Sequence, residues 1–468
     1  MPSVKRFIWK TTLSLRGPSI SNFNEFQRLQ WLNKEKLQSL QQDYLERLLT
    51  HAYLHVPYYR EVLAKAGVIH NDHSVNLQNF SRIPLLDKSL IRNHYEELKS
   101  DDLSTRKWYE NTSGGSTGEP VRFVQDKKYH DVAFAVKMFD DLWSGYTIGD
   151  RKIILWGSER DLLVGKETFR TLIGRWLRNE AYLNTFRITP EQMHAYVKCI
   201  NDFQPVQILA YVASLYELSC FIEQEKLNIN SPRSIMVSAG VLHVHMRETI
   251  ERVFKAPVFN RYGSREVGDI ACECDQHQGL HISPFTHYVE ILRQDGSPVN
   301  LGEMGEIVIT LLTNYAMPLI RYRIGDIGLW SERPCTCGRI WPMLNYVSGK
   351  MWDIFRTKSG TQAHGEYFIR IFYFQNWVKK FQVIQEDFDF VRVLIVPNGQ
   401  EGKIRQVYAK EIDMITEKIR FVMGQDCRVQ FDFVEDIDPT ASGKYHYIIS
   451  KVSKEDTAVA AVNKKEWQ

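Results

Sequence analysis

The sequence predicts an α/β protein of two domains, a large N-terminal one over residues 1–348 and a small α+β one over residues 349–468. Three observations carry this. Between residues 151 and 264, short apolar runs bounded by charge or glycine alternate with segments of helical period, as parallel strands with crossover helices do. From residue 287, "HYVEILRQDGSPVNLGEMGEIVITLLT" changes the texture to strands joined by Asp-Gly and Gly turns, a small antiparallel, barrel-like part. Beyond residue 349, paired strands and one amphipathic helix make up a smaller unit.

Taken in order, "EKLQSLQQDYLERLLTHAYLHVPYYREVLAKAG" spaces apolar residues three and four apart and predicts helix over 36–67, ending at Gly67. "FSRIPLLDKSLIRNHYEEL" is a second helical segment, with Asp87 as its N-cap. "VRFVQD" reads as a strand and "HDVAFAVKMFDDLWSGY" as a helix. "RKIILWG", "VQILAYVAS", "SIMVSAG" and "PVFNRYGS" read as buried strands, separated by helices near 190–202, in "LYELSCFIEQEKL" and in "HMRETIERVF". In the small domain "KKFQVIQEDFDFVRVLIVP" alternates like paired strands, and "EGKIRQVYAKEIDMITEKIRFVM" is one long helix stopping near Gly424.

Composition bounds the function. The chain has 468 residues, 44% hydrophobic and 25% charged, as in an ordinary globular protein too long for one core. A net charge of +3 argues against nucleic acid as partner. No apolar run approaches the ~20 residues that cross a bilayer, so no integral membrane segment is expected. "MPSVKRFIWKTTLSL" lacks the apolar core and cleavage site of a signal peptide. The expectation is a cytoplasmic monomer or homodimer.

Five short segments carry candidate chemistry. In "NTSGGSTGEP", Ser113, Gly114, Gly115, Ser116, Thr117 and Gly118 combine backbone freedom with hydroxyl donors, as a loop closing around phosphate requires. No Gly-Lys-Ser/Thr ends it, so it is not the Walker pattern. In "NRYGSREVGDIA", Tyr262 is placed to stack on a flat base and Glu266 to hold Mg²⁺ beyond the Gly263-Ser264 turn; the bland alternative is a strand–turn–helix junction. In "LIRYRIGDIG", Asp326 is placed to accept ribose hydroxyls. "VSGKMWDIF" lies at the domain boundary, where Gly349 permits a hinge. "PTASGKYHYI" carries Lys444 on a flexible turn, able to neutralise charge growing on phosphate. Each is weak alone; their joint order is specific.

That order resembles the adenylate-forming superfamily of acyl-CoA ligases, luciferases and peptide-synthetase adenylation domains, and within it the phenylacetate–CoA ligase family with its CapK-like branch, which is linked to surface polysaccharide genes. "SGGSTGEP", "RYGSRE", "YRIGD" and "PTASGK" match the family's phosphate, adenine-and-magnesium, ribose and C-terminal lysine motifs, and "LLTHAYLHVPYYREVLAKAGV" and "IPLLDKSLIRNH" resemble the branch's leader. The likeness spans about residues 40–448. It implies a large adenylate-forming domain with a mobile C-terminal lid, and a two-step reaction. A carboxylate attacks the α-phosphate of ATP to give an acyl-adenylate and pyrophosphate; an acceptor, either the coenzyme A thiol or a sugar or amino-acid amine, then displaces AMP. Ser113 to Gly118, Thr117 among them, would hold phosphates, Tyr262 adenine, Glu266 Mg²⁺ and Asp326 ribose, with Lys444 acting in the first step. Lys350 stands where the family's hinge motif has arginine, and Trp352 where it has an acid; Gly240 stands where relatives carry glutamate. The altered hinge keeps a second reading open, a catalytically silent nucleotide-binding homologue. The acid's pocket is expected between "AYVASLY", "VSAGV" and the helix bearing Phe134 and Met138.

Of seven cysteines, Cys199, Cys220 and Cys427 stand alone in apolar surroundings. The branch often carries a structural zinc site made of a cysteine, a histidine seven residues on, and a later Cys-x-Cys. Cys274, His281, Cys335 and Cys337 fit it, with Cys272 and His277 as competing candidates.

Overall fold

The computed structural model describes residues 17–452 except 71, 114–120, 157–168, 184–189, 351–353, 359–361, 365–367, 369–370, 373–374, 376, 399–406 and 438–446. The chain divides into two compact units, Met1–Gly349 with Ala441–Gly443, and Lys350–Thr440 with Lys444–Gln468.

In the first unit a hairpin of β1 (Trp108–Thr112) and β2 (Arg122–Asp126) precedes the main sheet. Strands β3 (Lys152–Leu155), β4 (Glu180–Leu183), β5 (Gln207–Tyr211), β6 (Ser234–Ser238) and β7 (Val258–Ser264) lie in the order 4-3-5-6-7, all parallel. β5 and β6 are buried almost along their whole lengths, which is why they read as unbroken apolar runs. The first half of β7 pairs parallel with β6; its second half pairs antiparallel with β8 (Gly268–Glu273). β7 therefore splices the parallel part to the antiparallel part, and the two form one eleven-stranded ladder. It continues through β9 (Leu280–Ile282), β13 (Met343–Lys350), β12 (Tyr322–Trp330), β11 (Gly305–Leu311) and β10 (His287–Leu292).

Two local expectations change. The helical pattern over 36–67 is two helices, Lys34–His55 and Pro57–Lys65. Val56 between them is extended, because a residue before proline is pushed out of the helical region. The segment after Ser264 is not a helix junction but the β7–β8 hairpin. Asp87 does cap its helix, Lys88–Asn93, by accepting from the Leu90 N–H at 2.8 Å.

In the second unit β14 (Ile354–Arg356) and β15 (Gln362–His364) form one antiparallel pair, and β16 (Val378–Asp387) and β17 (Phe390–Pro397) form another. Strands β16 and β17 each have a parallel outer neighbour, β19 (Ile448–Ser450) and β18 (Arg428–Phe433) respectively. The helix Ala409–Met423 buries Ile415, Ile419 and Met423 at spacings of four in the core of this unit.

Candidate active site

Asp326 owes its position to an irregularity in β12. Val308 and Glu306 of β11 pair with Arg323 and Ile327, so two steps on β11 are matched by four on β12. The surplus bulges at Gly325, whose φ of +84° suits a residue without a Cβ. The bulged strand presents Asp326 to the β7–β8 hairpin, where the Tyr262 hydroxyl donates to its Oδ2 at 2.8 Å. Burial, then the Asp326 charge, holds the Tyr262 phenol well above its ordinary range, so it remains a donor.

Glu266 sits in the turn of that hairpin and is 7% exposed. Three neighbours fix the turn. Gln125 of β2 donates its side-chain N–H to the carbonyls of Arg265 at 3.1 Å and Glu266 at 3.3 Å. His287 Nε2 lies 2.8 Å from the Val267 carbonyl, and Nδ1 lies 2.8 Å from the Thr286 hydroxyl. A carbonyl only accepts, so Nε2 carries the proton. Burial depresses this imidazole to about 4, keeping it neutral. Arg261, next to Tyr262, is buried against Asp269 at 3.4 Å across the hairpin. The turn is also too tight for a side chain at Gly263: a Cβ there would lie 2.5 Å from the Gly268 carbonyl oxygen.

Ser113 follows β1 directly and pairs with Val121 on the far side of the glycine segment. Its N–H donates to the Val121 carbonyl, and its Oγ accepts from the Val121 N–H, both at 2.9 Å. Ser264 Oγ accepts weakly from Val267 N–H within the turn. Gly114 to Gly118, Thr117 and Ser116 included, lie outside the described residues, as do Trp352 and Lys444; Lys350 ends β13. At the expected acid pocket, Tyr211 packs on Trp156 with ring centroids 4.0 Å apart and the rings tilted by 37°, at the carboxyl ends of β5 and β3, where ligands bind in parallel sheets. A Cβ on Gly240 would touch Val212 at 3.4 Å, so a larger residue there would press on this edge. An open cleft of about 900 Å³ lies at the Trp108 end of β1; two of its cations, Arg106 and Lys127, are already paired with Asp102 and Asp131.

Lys88, Gln125 and His287 escaped the sequence reading. Gln125 and His287 have no motif around them. Lys88 lies in a segment that the sequence marks by its Asp87 cap and its likeness to the branch's leader, with no role for the lysine, yet its Nζ is 3.7 Å from Glu266 Oε1.

Cys274, His281, Cys335 and Cys337 form a second site: their ligand atoms all lie within 4.8 Å of one another. Cys274 Sγ is 3.6 Å from Cys335 Sγ, and Cys337 Sγ is 3.5 Å from His281 Nε2. A tetrahedron with Zn–S bonds of about 2.3 Å has edges of about 3.8 Å, so this spacing fits zinc, while a disulfide would need about 2 Å. Burial lowers His281 to about 4, leaving a neutral imidazole fit to ligate. The alternatives are engaged elsewhere. Cys272 turns its thiol to the Glu273 carbonyl, and His277 pairs with Glu273 at 3.3 Å. Another cluster, His51, His55 and Asp102, is held together by protein hydrogen bonds: Arg106 occupies both oxygens of Asp102, and His51 Nε2 meets the Tyr315 carbonyl.

Residues 355–451 match the family model of the CapK C-terminal domain. The chain is 22% identical over 437 residues to Protein CapK of Staphylococcus aureus, covering 92% of each. It is 26% identical over 344 residues to Phenylacetate-coenzyme A ligase of Thermus thermophilus, covering 70% of this chain and 73% of that one. Its fold is that of 2-hydroxyisobutyryl-CoA ligase, solved in the postadenylation state in complex with an R3-HIB-AMP adenylate, with a TM-score of 0.68 at 17% identity over 93% of both chains. The C-terminal part of the chain thus matches the CapK C-terminal family, and the chain as a whole is similar to CapK and to phenylacetate–coenzyme A ligases. In the first unit Tyr262 and Asp326 meet where the β12 bulge faces the β7–β8 hairpin, whose turn bears Glu266 and is held by Gln125 of β2. No helix of the described residues is long and apolar enough to cross a membrane.

Proposed function

We propose that the protein is an ATP-dependent, carboxylate-activating ligase that releases AMP and pyrophosphate. The observation that carries this reading is the Tyr262–Asp326 hydrogen bond, which joins the base-stacking and ribose-binding candidates beside Glu266. In the first step a substrate carboxylate oxygen attacks the α-phosphorus of MgATP. The bond from phosphorus to the bridging oxygen breaks, and pyrophosphate leaves with the electron pair. Negative charge grows on the phosphoryl oxygens, so donors fixed beforehand lower the barrier. Ser113 to Gly118 supply amides and the Thr117 and Ser116 hydroxyls. Glu266 holds the Mg²⁺ of MgATP, Tyr262 packs on adenine, and Asp326 accepts the ribose hydroxyls. Gly263 and Ser264 shape the turn, and Lys444 bridges carboxylate and α-phosphate.

In the second step an acceptor nucleophile attacks the acyl carbon and AMP leaves. Similarity to phenylacetate–CoA ligases supports coenzyme A as acceptor; similarity to CapK supports an amine used in surface polysaccharide assembly. The small domain acts as the lid, with Lys350 at its hinge. The soft donor set of Cys274, His281, Cys335 and Cys337 would hold a structural Zn²⁺ with no open position, which serves stability and not chemistry.

Pyrophosphate exchange into ATP, run with a panel of acids, tests the reading. One class of acid should stimulate exchange, and Lys444→Ala should cut it by roughly 10²–10³-fold while leaving acyl transfer from supplied adenylate intact. ADP as product would sink the proposal. Measurable ATP binding without exchange for any acid would mark a silent nucleotide-binding protein.

A further inference from the structure

Lys88 is placed too carefully to be a solvated helix residue. Leu86 N–H donates to the Arg321 carbonyl at 3.0 Å, and Arg323 N–H donates to the Leu86 carbonyl at 2.8 Å. These bonds lay the segment before Lys88 alongside β12, as a parallel bridge at Tyr322. Arg321 clamps the same segment from below. Its guanidinium reaches the carbonyls of Ile83, at 2.6 Å, and Ser81, and is held by the two oxygens of Glu290 at 3.0 Å each. The leader is thus fastened to the strand that carries Asp326, two residues short of the point where Lys88 emerges.

The Lys88 side chain is 18% exposed, the Glu266 side chain 10%, and their charged atoms are 3.7 Å apart. The fully buried Tyr322 ring lies beside the same carboxylate; burial and then the Glu266 charge hold its phenol well above the ordinary range, so it is a neutral neighbour of Glu266 and Lys88 is the cation paired with it. A lysine kept this far from water beside a carboxylate costs desolvation and side-chain freedom. A pair at 3.7 Å, too long for a hydrogen bond, recovers little of that. The arrangement makes chemical sense if the ammonium has a second anion to meet.

Resting on the ligase reading above, we infer that Lys88 is a further nucleotide-contacting residue: its ammonium, beside Glu266, binds the β- and γ-phosphates of MgATP and stabilises the departing pyrophosphate. No proton moves in this role. The electron pair of the broken phosphorus–oxygen bond passes to pyrophosphate, and Lys88 offsets part of the resulting charge. The competing role is that of a plain counter-ion for Glu266, and the two differ in what they predict for nucleotides of different length. A phosphate-binding lysine acts on ATP and not on AMP, which lacks the β- and γ-groups. A counter-ion affects both alike or neither.

The test compares wild type, Lys88→Met and Lys88→Arg for binding of ATP with Mg²⁺ and of AMP by calorimetry, with thermal melts to verify folding. Lys88→Met should weaken ATP by about tenfold or more, leave AMP within about twofold, and raise the ATP KM of pyrophosphate exchange while lowering kcat. Lys88→Arg, which keeps the charge, should recover part of the ATP affinity. Equal losses for ATP and AMP, or no loss in Lys88→Met, overturn the inference while leaving the ligase reading standing. A wild-type protein that binds neither nucleotide overturns both.

Discussion

The Tyr262–Asp326 hydrogen bond ties together two residues that the proposed reaction uses separately. Ribose hydroxyls would approach the same carboxylate, so nucleotide can replace what the phenol gives. Tyr262→Phe should therefore change the ATP KM less than about fivefold, while costing the protein about 1 kcal/mol of stability in a urea melt. Tyr262→Ala also removes the ring, and a lost base stack of about 1–3 kcal/mol should raise the ATP KM roughly tenfold to a hundredfold. Equal KM values for the two variants would remove Tyr262 from the adenine site. His287 allows a pH prediction at the same scale. It titrates at about 4 in the fold and near 6.5 when unfolded. Between those values the unfolded chain holds the extra proton, so stability falls as pH falls through the window. At about 1.4 kcal/mol per pH unit, the depressed value makes the loss about 3 kcal/mol by pH 4. Urea melts at pH 7, 5.5 and 4 should show His287→Gln with a shallower acid limb than wild type.

At the scale of elements, what the sequence made legible was whatever a period or a cap encodes locally. Asp87 could be read as a cap because its bond spans three residues. The antiparallel pairing of β10 with β11, and of β16 with β17, followed from alternation around a turn. The β7–β8 hairpin was not legible, because β8 buries its last four residues in a row and so shows no alternation to mark a strand. Yet this hairpin sets the site. At Gly263 a Cβ would meet backbone on the facing arm: the Gly268 oxygen at 2.5 Å and the Asp269 Cα at 2.9 Å. Backbone cannot swing aside as a flexible side chain can, so Gly263→Ala must spread the hairpin and carry Glu266 away. Displacements near 1 Å cost roughly 10²-fold in rate, and exchange activity should drop on that order. Melting should fall too, by the roughly 1–3 kcal/mol that overpacking costs, since β7 and β8 both belong to the central sheet. An unchanged exchange rate would mean the turn does not position the metal-binding carboxylate.

At the scale of the whole molecule, the motifs named Tyr262, Glu266 and Asp326, which lie together, but not what holds them there. Lys88 and Glu266 are far apart in the chain, and so are Gln125 and Arg265; such pairs arise from the tertiary fold and leave no local trace. The cysteine–histidine group shows both sides of this. Spacing proposed Cys274, His281, Cys335 and Cys337, but only geometry set Cys272 and His277 aside. A metal there would staple the end of β8 and strand β9 to the loop between β12 and β13, with Cys274 and Cys335 separated by 61 positions. Treated as a cross-link, closing a loop of that length restricts the unfolded chain by about 4 kcal/mol. In a unit of this size that amounts to a fall in Tm of several degrees when the ion is lost. Purified protein should carry a single equivalent of zinc by elemental analysis, and a strong chelator should lower Tm and be reversed by added Zn²⁺. Cys335→Ser should show the lowered Tm without further response to chelator, whereas Cys272→Ser should retain the metal. Protein that lacks zinc and melts identically with and without chelator would reduce the four residues to buried thiols around a neutral histidine.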